Sequence, residues 1–307
     1  GTFSGTQVVT ITYSSATQTI AQAVTVTGTS AAVSQFSGHV AGSLARHITD
    51  SMDTLMAGKT LANNGPLYTS RNSNQGSMAS TTWVRSGSCW LTSATGVTAR
   101  AAAADADGFR TGSLGITAIS PRHVLMANHA RLWPGQTVYF VTASGSTITR
   151  TISAVSPAIY SDGRSYDLCV GKLDSDLPAT IAYLPVMPSG WVASNAPGIA
   201  NGIPIVQVGD LNQTTPVQSL ISDGTYADVY KYVTHNTRTD AWRHAAVVGD
   251  SGTPLCAIIN NRLVLLGLEG TGAASLSQLT GEINAAMTAL GGSYQLTTVN
   301  LSGFTSY

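Results

Sequence analysis

The chain has 307 residues, 43% of them apolar, which is enough to bury one large core or two modest ones and rules out a disordered tail. Charged residues make up only 10%, with 15 basic against 15 acidic and no Lys/Arg run, so the basic footprint needed for nucleic acid or an anionic membrane is missing. The longest apolar runs, such as Leu263 to Leu268, are far too short to cross a bilayer, and no membrane insertion is expected.

From Gly1 to Ala45 there is no Lys, Arg, Asp or Glu, and Thr and Ser are abundant. Val9, Ile11 and Tyr13 alternate with Thr10 and Thr12, and Ile20, Val24 and Val26 share one parity after a Ser14-Ser15-Ala16 break, which predicts a two-stranded hairpin. Val40, Leu44, Ile48, Met52, Leu55 and Met56 then recur at helical spacing ahead of Gly58, predicting a helix over 38–57. The Asn-, Ser- and Gly-rich run from Ala62 to Ser80 is the best boundary, so residues 1–79 are expected to form an N-terminal β/helix extension.

Short apolar strands separated by Gly, Asn, Asp and Pro then continue to about residue 270, the pattern of an all-β barrel or sandwich. They include 115–119, 137–141, 203–208 and 263–267, and the stretch from Pro185 to Gly202 divides the region in two. Leu279, Ile283, Ala286, Met287 and Leu290 form a helical stripe that stops at Gly291-Gly292, before a last strand-like piece from Tyr294 to Leu301. Cys89, Cys169 and Cys256 are odd in number and widely spaced, which fits neither a zinc cluster nor a dense disulfide framework. Two arrangements remain: three buried thiols, or a single Cys169–Cys256 bridge.

Acyl transfer by serine needs an activated hydroxyl, an imidazole to take its proton and amides aimed at the developing oxyanion. Gly249-Asp250-Ser251-Gly252-Thr253-Pro254 can supply the first and third, because glycines on both sides of Asp-Ser permit a tight turn in which the amides of Gly249 and Ser251 converge. The apolar run 255–259 would anchor that loop. His123 lies at a turn and is read as a surface residue; His235 and His244 are read as loop or core histidines, and His39 and His47 belong to the extension. Asp162 sits in the turn signal Ser161-Asp162-Gly163. No His/Cys/Asp set has metal-ligand spacing, so neither metal nor cofactor is expected.

The Gly-Asp-Ser-Gly-x-Pro string resembles the nucleophile motif of the chymotrypsin/trypsin-like serine peptidases, in a divergent form similar to secreted bacterial or viral members. Two further landmarks follow the family's order. The segment 116–130, ending Ala127-Asn128-His129-Ala130, looks like the strand-turn-strand that leads to the catalytic histidine, and Tyr166-Asp167-Leu168-Cys169-Val170-Gly171-Lys172-Leu173 resembles the short strand led by the catalytic aspartate. The resemblance implies a two-barrel fold over 80–292, divided near 185–202, with a C-terminal strand over 293–307. It implies Ser251 as nucleophile, His129 as base, Asp167 as orienting carboxylate and Gly249 and Ser251 as oxyanion donors. Counting back from Ser251 puts Ala245 at the floor of the S1 pocket, where it offers no carboxylate for Lys or Arg and so favours small or apolar P1 residues.

The chain also departs from the family. Ala130 stands where many members have cysteine, Asn128 replaces a small residue, and no Ile-Val-Gly-Gly-like activation site precedes the core, so Asp250 needs another partner, with Arg243 and Arg238 as candidates. The expectation is a serine endopeptidase acting on a polypeptide, extracellular or virion-associated given the scarcity of charge. The alternative is a structural or adhesive surface protein on a peptidase scaffold, self-processing or not, with self-assembly through the N-terminal extension.

Overall fold

The structure is a computed structural model that describes residues 42–70, 84–92, 115–191, 203–208, 214–222, 230–233, 242, 251–270 and 275–305. The N-terminal hairpin expected over 9–26 lies outside these residues, as do His39, His235, His244, Ala245, Gly249, Asp250, Arg238 and Arg243.

Helix α1 (Leu44–Met56) begins at Ser43, whose Oγ accepts the Arg46 amide at 3.2 Å. The predicted apolar stripe is its inner face, with Leu44, Ile48, Met52 and Met56 buried. A short α2 (Leu61–Asn64) and a two-stranded pair, β1 (Tyr68–Ser70) with β2 (Val84–Arg85), follow.

Two five-stranded antiparallel sheets make up the body. The first contains β3 (Ile116–Ala118), β4 (His123–Ala127), β5 (Thr137–Val141), β6 (Thr147–Val155) and, after the small hairpin β7 (Tyr160–Ser161) and β8 (Arg164–Ser165), β9 (Leu168–Leu173), in the order β3-β4-β9-β6-β5. The second contains β10 (Ile203–Val208), β11 (Thr214–Ser222), β12 (Tyr230–Val233), β13 (Pro254–Ile259) and β14 (Arg262–Leu268), in the order β12-β11-β10-β13-β14. The described chain is thus mostly β and antiparallel, with few helices, as the spacing of short apolar runs predicts.

Period-2 alternation assigns each strand to two cores at once. On β4, Leu125 enters the central cluster, while Val124 and Met126 face a cluster belonging to the first sheet alone. On β14, Leu263 and Leu265 enter the same central cluster, while Val264 and Leu266 face a third cluster shared with α1. Both faces of these strands are covered, which is why they read as continuous apolar runs instead of alternating ones. Pro204 sits in β10 although it cannot donate to a ladder. The β10–β13 pairing covers only Val206 and Gln207, so the proline lies where that edge is not used.

Turn chemistry follows the sequence. Asp162 and Gly163 (φ 50° and 75°) link β7 to β8, and Asn260 and Asn261 (φ 50° and 57°) link β13 to β14, both as two-residue turns of the kind that require positive φ. Helix α3 (Thr280–Leu290) stops at Gly291, as the stripe and the glycine pair predict, and buries Ile283 and Met287. The strand-like piece 294–301 differs from expectation. Among the described residues it makes one bridge, Thr298 to Val186, because its neighbour there is the connector between the two sheets and not a regular strand. Among the described residues no helix is long and apolar enough to cross a membrane.

Candidate active site

Strand register brings His129 and Asp167 together. In the β4–β9 ladder Ala127 faces Leu168, so the residues just past the end of β4 and just before the start of β9 share one end of the sheet. The ladder continues for one further rung, the Asn128 amide donating to the Asp167 carbonyl at 2.8 Å. The chain then turns through a 3-10 segment, Asn128–Ala130, which buries Ala130 in the first sheet's own cluster and directs His129 outward. Asp167 holds His129 at two points: Oδ1 accepts the His129 backbone amide at 2.9 Å, and Oδ2 pairs with Nδ1 of the ring.

The second sheet supplies Ser251. The β13–β14 ladder runs on beyond Pro254 and Leu268 through the Gly252 amide to the Glu269 carbonyl and the Glu269 amide to the Thr253 carbonyl, both 2.9 Å. These bonds fix the backbone beside Ser251. The first sheet contributes as well, since the Gly115 amide, just ahead of β3, donates to the Ser251 carbonyl at 3.0 Å. Gly252 has φ +85°, and a Cβ there would run into the Gly115 carbonyl, so both glycines are needed for this crossing. In the sequence Gly115 reads only as the first residue of the apolar run 115–119, with no local signal of its contact with the Ser251 loop.

With both sheets in place, Ser251 Oγ lies 2.8 Å from His129 Nε2, and Asp167 sits on the other side of the ring. The structure therefore brings together Ser251, His129 and Asp167. Oδ2 of Asp167 favours the proton on Nδ1, leaving Nε2 with a lone pair facing the Ser251 hydroxyl. The His129 and Asp167 side chains keep 48% and 34% exposure, so the pair is open to solvent at its outer edge.

No protein-family model matches the chain, and no curated protein matches it.

Other residues singled out in the sequence fall elsewhere. His123 corrects the surface reading: it is fully buried, with Nδ1 on the Ser120 hydroxyl at 3.0 Å. His47 is in α1, and Asp162 is in its turn. The three cysteines are buried free thiols, so the Cys169–Cys256 bridge does not form. Desolvation pushes Cys169 up to about 12, and burial raises Cys256 further, leaving both inert as nucleophiles. Among the described residues no group of three His, Cys, Asp or Glu side chains could hold a metal ion.

Gly270 stands two residues past the end of β14. It lies against the Ser251 side chain, with φ +77°, and a Cβ there would sit 2.9 Å from Ser251 Oγ. Gly270→Ala is expected to displace the Ser251 hydroxyl from His129, and in the reaction proposed below this lowers kcat by about 10²-fold, the cost of an error of about 1 Å at a reacting atom. Steady-state hydrolysis of a small ester checks this, together with a thermal melt showing that the protein still folds.

Proposed function

We propose that this protein is a serine endopeptidase of the chymotrypsin-like type, its two five-stranded sheets corresponding to the family's two barrels. The observation carrying the proposal is the 2.8 Å approach of Ser251 Oγ to His129 Nε2, with Asp167 bonded to both the ring and the backbone of His129. The arrangement matches the requirements of acyl transfer, and the chain order His, Asp, Ser is that of the chymotrypsin-like family.

In this reading Ser251 Oγ attacks the scissile carbonyl carbon as His129 Nε2 takes the hydroxyl proton. The carbonyl π-bond opens to an oxyanion, which the amides of Ser251 and Gly249 stabilise. His129 then passes its proton to the leaving amine as the C–N bond breaks, giving an ester on Ser251. Water, deprotonated by the same imidazole, releases the acid and restores the hydroxyl. Asp167 holds the ring in one tautomer and offsets the charge it gains, and no cofactor enters any step.

Ala245 as the S1 floor gives a preference for small or apolar P1 side chains. The scarcity of charge and the hydroxyl-rich first 45 residues support an extracellular or virion-borne setting. Digestion of a peptide library tests the proposal: wild type is expected to cleave after uncharged residues and Ser251→Ala to cleave nothing. Strong selection of Lys or Arg at P1 would remove Ala245 from the S1 floor. Cleavage by both proteins alike would remove Ser251 from the reaction. Identical termini in wild type and Ser251→Ala would exclude self-processing.

A further inference from the structure

Residues 291–305 leave α3 and run across the whole body. The Tyr294 hydroxyl donates to Asp176 at 2.5 Å, just past β9. Val186, in the connector between the sheets, donates to the Thr297 carbonyl at 2.8 Å and accepts the Val299 amide at 3.0 Å, while also bridging Leu265 of β14. Val299, Leu301 and Phe304 then pack on the cluster shared by α1 and the second sheet, and the Thr305 amide donates to the Gly42 carbonyl at 3.0 Å. The segment thus ties the first sheet, the connector, the second sheet and α1 together.

Each end of this segment rests on a histidine that the hydrogen bonding keeps neutral. Phe304 packs on His47, ring centroids 4.9 Å apart, and His47 Nε2 accepts the Asn260 amide at 3.0 Å. A ring nitrogen that accepts carries no proton. At the other end, the His123 ring meets Tyr294 edge to face at 6.4 Å, and Nε2 lies against the Gly291–Gly292 backbone without a well-formed partner. Ser120 Oγ accepts the amides of Arg122 at 3.1 Å and His123 at 2.9 Å, filling both lone pairs. Its own proton therefore goes to His123 Nδ1, which must be an acceptor.

We propose that residues 291–305 form an acid-released strap, let go when His47 and His123 take up protons. A proton on His47 Nε2 would face the Asn260 N–H, and one on His123 Nδ1 would face a hydroxyl with no lone pair to give. Around His123 stand Lys172, whose Nζ donates to the Leu290 carbonyl at 2.8 Å, Arg122, Asp176 and Tyr294. Asp176 is already engaged by Arg122 and Tyr294. The charge facing His47 is Asp50, itself paired with Arg46. Desolvation lowers both imidazoles from the ordinary 6.5; Lys172 and Arg122 lower His123 further against the Gly291 carbonyl and Asp176, and Asp50 partly offsets the effect at His47. The closed strap binds fewer protons than the open one, so its stability is complete above about 6.5 and falls as pH drops below that value.

Hydrogen exchange on the whole wild-type protein, corrected for intrinsic rates, tests this without reference to hydrolysis. Between about pH 7.5 and about pH 5.5, protection at Val299 and Thr305 is expected to fall by up to about tenfold per histidine, nearly all of it below about pH 6.5, with β9 unchanged. His47→Gln, which keeps an acceptor for Asn260 and gains no charge, is expected to retain protection at Thr305 in acid. If that variant does not fold, NMR titration of the wild-type imidazoles replaces it, with strap opening expected to follow their protonation. Undiminished protection of Val299 and Thr305 at about pH 5.5, loss only in step with β9, or an unchanged pH response in His47→Gln would overturn the proposal.

Discussion

Replacing Ser251 with Ala is expected to reduce turnover of a peptide or activated ester by about 10⁶-fold with the fold intact. Only one oxygen is removed. The Ser251 carbonyl still accepts the Gly115 amide, and the Gly252 and Glu269 backbone bonds that flank the loop do not involve the side chain. Thermal stability should therefore change by less than about 1 kcal/mol, as for a part-exposed truncation. His129→Ala is expected to cost about as much in kcat, and the double variant little more, because in the proposed reaction base and nucleophile act as one unit. Ester hydrolysis measured for the three variants decides the matter. Activity within tenfold of wild type in Ser251→Ala would mean that hydrolysis occurs elsewhere on the molecule.

Asp167→Asn is expected to lower kcat by about 10⁴-fold while leaving KM nearly unchanged. Oδ1 of Asp167 accepts the His129 amide and Oδ2 pairs with Nδ1. An asparagine can satisfy the amide with its oxygen only by turning its NH₂ toward Nδ1. That nitrogen would then have to accept, which moves the ring proton to Nε2 and leaves nothing to take the Ser251 proton. The geometry survives and the tautomer is wrong. Nitrogen chemical shifts of His129 would read the change directly, and near-ultraviolet circular dichroism would show unaltered packing. Equal losses in both kcat and folding stability would instead make Asp167 a structural tie for the His129 turn.

Much of the arrangement was readable because it is local. The strand led by Asp167 and the strand before His129 are contiguous apolar runs with one antiparallel register that buries both faces, and that register sets the two side chains at the same end. The Gly252 turn was legible from its glycines. What escaped the sequence depends on contacts between distant segments. His123 follows Ser-Pro-Arg and reads as a turn residue, yet Ser120 satisfies one nitrogen locally and Gly292 and Tyr294, from the far end of the chain, cover the ring. Gly115 and Gly270 look like ordinary strand-end glycines until the second sheet places Ser251 against both. Residues 294–301 carry strand-like alternation but among the described residues pair only with Val186, and pattern alone does not reveal how much partner is available.

The claim that Ser251 is an activated nucleophile is tested most directly by reacting the folded protein with a fluorophosphonate and mapping the adduct by mass spectrometry. One adduct per chain on Ser251, lost in His129→Ala and in unfolded protein, is the expected result. Folded wild type that stays unlabelled under conditions that label trypsin, or that is labelled at another serine, would contradict the claim.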